Sequence, residues 1–87
     1  MTTKMNEALS RQIEEAKTME PQREIPVIIT LRPNSDLSAL EQRGVKIQNI
    51  FKNISAVRGT LTPAVANQVA ELEMVELLEY DGEVHAL

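Results

Sequence analysis

Eighty-seven residues, 43% hydrophobic and 25% charged, make one ordinary globular domain, and a chain this short buries too little surface to be more than marginally stable without a partner. The absence of cysteine excludes a disulfide framework and a thiolate metal site. A net charge of −4, with one Tyr and one Phe as the aromatics, argues against nucleic-acid binding, because phosphate contacts need Lys and Arg and single strands need stacking rings.

Residues 1–23 read as a helical extension and linker. Met5, Leu9, Ile13 and Ala16 recur at helical spacing and predict a helix over residues 3–19 with a narrow apolar face. Glu7 and Arg11 stand at i,i+4, and Pro21 and Pro26 bracket the linker. Four basic residues (Lys4, Arg11, Lys17, Arg23) balance four acidic ones (Glu7, Glu14, Glu15, Glu20), so the whole charge excess lies further along. The first twenty residues contain no apolar core of a signal peptide, and no apolar run approaches the roughly 18 residues of a membrane span. The chain therefore reads as cytoplasmic with no membrane partner, or as extracellular if a leader has been removed.

Ile25 to Leu31 predicts a strand, with Ile25, Val27, Ile29 and Leu31 on one face and Ile28 on the other. Ser35 or Asp36 is placed to cap a short helix ending at Arg43, and Gly44 supplies a left-handed stop. Val45 to Phe51 and Ile54 to Leu61 predict a hairpin about Lys52-Asn53. Gly59 inside the second of these strands is expected to mark the close approach of a helix. Thr62 and Pro63 open a helix carrying Val65, Val69 and Leu72, closed by Glu73-Met74, and Val75 to Tyr80 makes the last strand. From Glu24 onward the order is β-α-β-β-α-β. Right-handed crossovers then favour an α+β, ferredoxin-like split βαβ sandwich: a four-stranded antiparallel sheet, two helices on one face, and the extra N-terminal helix. The uncovered sheet face is left for a partner or for that N-terminal helix.

Few residues suit catalysis. His85 is the one histidine, the serines lack a nucleophile-elbow context, and Gly44, Gly59 and Gly82 form no phosphate loop. Asp81, Glu83 and His85 are metal-ligand types, but a single tail is a poor cage. The expectation is a protein that is not an enzyme and holds no metal or cofactor. Arg32-Pro33-Asn34-Ser35 does not resemble the phosphate cradle of acylphosphatases, which share the topology, and the sheet offers no aromatic platform for RNA. Glu71, Glu73, Glu76, Glu79, Asp81 and Glu83 form an acidic run with no basic residue among them, which is either a solvated surface or a docking feature.

Several segments of the second half agree in order and spacing with one family. Gly44 to Ala56 (GVKIQNIFKNISA) resembles the strand-turn-strand of subtilisin propeptides, the inhibitor I9 type. Thr60-Leu61-Thr62-Pro63 looks like the start of that family's second helix. Val75 to Asp81, followed by Val84 to Leu87, resembles its last strand, acidic signature and tail. The resemblance covers residues 24–87 and implies a propeptide-like domain that binds a subtilisin-like serine protease as inhibitor, and as a folding chaperone. It implies that the open sheet face packs on two surface helices of the protease, with Glu79 and Asp81 accepting hydrogen bonds from their N-termini. Val84, His85, Ala86 and Leu87 would lie in the substrate cleft by strand pairing, with Val84 in the fourth subsite and Leu87 in the specificity pocket. A chain ending at Leu87 would bind like a product, with no bond to cleave; the other reading is a frayed terminus. No protease domain follows, so the module would act in trans. The alternative is a ferredoxin-like interaction module that homodimerises through the open face or the N-terminal helix; a small-molecule sensor of the same topology is a third.

Overall fold

The structure, a computed structural model, describes residues 4–82. It contains α1 (Glu7–Met19), β1 (Ile25–Leu31), α2 (Ser38–Arg43), β2 (Lys46–Phe51), a 3₁₀ turn (Lys52–Ile54), β3 (Ala56–Leu61), α3 (Pro63–Ala70) and β4 (Val75–Tyr80). The four strands form one antiparallel sheet in the order β2-β3-β1-β4. This is the ferredoxin-like split βαβ arrangement with an added N-terminal helix.

The strand β1 sits between β3 and β4, and its alternation is complete. Ile25, Val27, Ile29 and Leu31 are buried, while Pro26, Ile28 and Thr30 are half-buried on the opposite face. Cross-strand pairing continues the inner row through Leu61 and Val57 of β3 and Leu78 and Tyr80 of β4. Leu40 of α2, Ala66 and Val69 of α3, and Leu9, Ile13 and Ala16 of α1 cover that row in one cluster.

The N-terminal helix therefore does not cross the open sheet face. Its narrow stripe completes the same core as the other helices, with Leu9 and Ala16 fully buried and Ile13 at 3% exposure. The reason lies just before it. Lys4 to Asn6 run parallel to the outer edge of β4: Leu78 N–H donates to the Lys4 carbonyl (2.7 Å), and Asn6 N–H to the Leu78 carbonyl (3.0 Å). That extended stretch delays the helix to Glu7, so Met5 packs on the core from outside it. The Asn6 side chain then caps the helix by accepting from Leu9 N–H at 2.9 Å.

Local signals account for the remaining boundaries. Asp36 Oδ1 accepts from the Ser38 hydroxyl (2.8 Å) and the Ser38 N–H (3.0 Å) ahead of α2. The hydroxyl, and then the N–H, hold the Asp36 carboxyl below its usual value. That stabilisation is present at neutral pH and is lost as the pH falls through the lowered value. Gly44 closes the helix at φ 110°. The helix α3 starts at Pro63 but stops at Ala70, short of the expected Glu73-Met74. Between β2 and β3 the tight turn expected at Lys52-Asn53 is a longer 3₁₀ turn ending in Ser55 at φ 52°, and β3 begins at Ala56.

Gly59 faces a neighbouring strand, not a helix. The pairing of β2 with β3 shifts register between Ile47 and Asn49, and the bulge brings the β2 backbone across Gly59. A Cβ there would lie 2.3 Å from the Lys46 carbonyl oxygen.

Two substitutions probe this packing. Leu9→Ala is expected to lower the unfolding free energy by about 2–5 kcal/mol, as for a truncated core leucine. Urea titration followed by circular dichroism measures it, and a loss below about 0.5 kcal/mol would make α1 peripheral. Gly59→Ala should cost about 1–3 kcal/mol through forced strand displacement; a neutral result would show that β2 does not press on that position.

Candidate protein-binding face

Among the described residues every helix lies on one side of the sheet, and none of them covers the other side. Its rows follow from the register. Ile28 of β1 stands between Arg58 of β3 and Glu79 of β4, and Arg58 is paired outward with Asn49 of β2. The next row runs from Phe51 through Ala56 and Thr30 to Leu77. Pro26 and Thr60 lie in the third, with Lys46 at its edge. Apolar and small side chains thus gather in the row of Phe51, Ala56 and Leu77, while the middle row carries Arg58 and Glu79 on either side of Ile28.

The two carboxylates singled out in the sequence stand on this face, Glu79 beside the middle of β1 and Asp81 nearer its start. Glu79 is half-buried beside Ile28, and no ion pair among the described residues engages it. Asp81 N–H donates to the Pro26 carbonyl at 2.9 Å, which extends the β4 pairing past Tyr80. Its side chain, only 16% exposed, accepts from Arg58 Nε at 2.7 Å. A carboxylate has about four acceptor positions, so Asp81 keeps capacity for further donors while Arg58 holds it in place. Val84, His85, Ala86 and Leu87 lie outside the described residues, as do Glu83 and His85 of the tail considered for a metal. Among the described residues no group of three His, Cys, Asp or Glu side chains comes together to hold a metal ion.

Arg58 is the residue that sequence reasoning passed over. Its signal was present: it is the one charge in β3 and sits at an outward position between Val57 and Gly59. Its partner lies 23 residues away on another strand, so only the pairing of both strands with β1 reveals the contact. A second pair, Lys46 with Glu24, ties the edge strand to the residue preceding β1.

The Arg58 side chain is half exposed, so its ion pair is worth at most about 1 kcal/mol. Arg58→Ala should lower stability by no more than that, and the difference should shrink in high salt. A larger, salt-independent loss would mean that Arg58 acts by packing instead. No helix among the described residues is long and apolar enough to cross a membrane. Comparison of the sequence with known proteins finds no matching family model and no matching curated protein.

Proposed function

We propose that this protein is a non-enzymatic, propeptide-like inhibitor of a subtilisin-like serine protease, and a helper in that protease's folding. The observation that carries the reading is the one-sided sheet. The three helices of the described residues pack on one face, and the face they leave carries Ile28 and the row of Phe51, Ala56 and Leu77 beside the carboxylates Glu79 and Asp81. Two carboxylates beside apolar side chains suit the N-termini of a partner's helices, which present unpaired N–H groups and partial positive charge. The half-buried Glu79, without an ion pair among the described residues, is the better placed of the two. Asp81 would share its oxygens between Arg58 and the incoming donors.

Size supports a second point of attachment. Four strands about 4.8 Å apart and about 20 Å long give a face of roughly 400 Å². A standard interface covers about 800 Å² per partner. The balance would come from Val84, His85, Ala86 and Leu87 pairing as a strand in the substrate cleft. The second reading, a homodimer through the same face, draws on the same apolar side chains. It has less claim on the N-terminal helix, whose apolar stripe is consumed by its own core.

The test is inhibition of a panel of subtilisin-like proteases by the full chain. Glu79→Ala combined with Asp81→Ala should weaken inhibition about tenfold or more, as expected for charge-assisted hydrogen bonds, with an unchanged circular dichroism spectrum. Removing Val84–Leu87 should weaken it further. A chain that inhibits no protease and elutes as a tight dimer by light scattering would sink the proposal and favour self-association.

A further inference from the structure

We infer that the opposite end of the sheet carries a binding site for a small amphipathic anion, an aliphatic carboxylate with a compact apolar body. The helix α2 is six residues long and so spans about 9 Å, against about 20 Å for β2. It cannot roof the whole strand, and the end of β2 projects beyond it. Ile50, on the helix side of the sheet, is left 51% exposed there, and Phe51, on the bare side, is 40% exposed. Together with the loop after β1 they line an open cavity of about 480 Å³, within the range of small-molecule sites. Its walls include the buried Leu31, Ala56 and Val57.

The polar rim has one sign. Twelve residues line the cavity, and none is Asp or Glu, in a chain with 13 acidic and 9 basic residues. Arg32 lines it from the loop after β1 and Lys52 from the 3₁₀ turn. Neither makes an ion pair among the described residues. The acid nearest in sequence, Asp36, does not line the cavity and is engaged by Ser38. The two non-glycine residues with left-handed backbone, Asn34 at φ 64° and Ser55 at φ 52°, also both line it, and such strain gathers where a binding surface must be shaped. Apolar walls with two lining cations that make no ion pair among the described residues suit a ligand with a hydrocarbon body and a single anionic head. The site is built from the end of β2, the 3₁₀ turn and the loop after β1, without Glu79 or Asp81, and does not depend on the protease reading.

The experiment is a titration of the full chain with octanoate, followed by ¹H–¹⁵N correlation spectra, with octanol and acetate as separate arms. The expected result is saturable shifts confined to residues 31–37 and 50–57. Octanol should bind about tenfold more weakly for want of the charge-assisted contacts, and acetate should not saturate. Arg32→Gln with Lys52→Gln should weaken octanoate about tenfold while the spectrum keeps its dispersion. Leu9→Ala, distant from the cavity, should leave the affinity unchanged under conditions where it stays folded. The proposal is overturned if octanoate gives no saturable shifts at millimolar concentrations, if octanol binds equally well, or if the largest shifts fall on Ile28, Arg58 and Glu79 of the open sheet face.

Discussion

The inner row of β1 is the constraint on which the rest of the molecule depends. Ile25, Val27, Ile29 and Leu31 lie in a strand paired on both edges, and all four are buried. Each must be covered from one side, because the outward positions of the same strand are Pro26, Ile28 and Thr30. The helices available to cover it are short: six residues in α2, eight in α3. Alone they would leave the β4 side of the row, Leu78 and Tyr80, open to water. The thirteen residues of α1 fill that gap with only three apolar side chains. A domain of this size has no core to spare, so the extension is a structural member of the domain and not an appendage.

Committing α1 to the core has a functional consequence. It leaves the outward face of the sheet uncovered by any helix among the described residues, and it spends the only apolar stripe of the N-terminal segment. The segment before α1 also lies along part of the β4 edge, through Lys4 and Asn6. The other edge, β2, remains open, with Lys46 and a bulge of the kind that discourages uncontrolled strand pairing.

Charge is unevenly spread over that sheet. Glu79 and Asp81 stand beside the middle and the start of β1, and Arg58 reaches across β1 to hold Asp81. Arg32 and Lys52 mark the end where β1 stops, over an apolar recess. In a protein with net charge −4, two cations without an ion pair among the described residues at one cavity are a local property that no average over the chain conveys. The two regions offer different chemistry, carboxylate acceptors in one and cationic donors in the other.

Local pattern alone determined much of this. The limits of β1 and β4, the Pro63 start of α3 and the Gly44 stop of α2 each rest on neighbours within a few residues, through alternation, ring geometry or left-handed backbone. The order of elements and the handedness of crossovers then left one sheet topology. Tertiary structure decided what depends on contacts distant in sequence. The helix α1 went to the core because Lys4 to Asn6 pair with Leu78, more than seventy residues on. Gly59 proved to accommodate a bulged strand, since a glycine signals close approach without naming what approaches. The Arg58–Asp81 pair and the recess beneath Arg32 and Lys52 join residues from separate loops and strands, and a periodicity read along one segment carries no information about which other segment will face it.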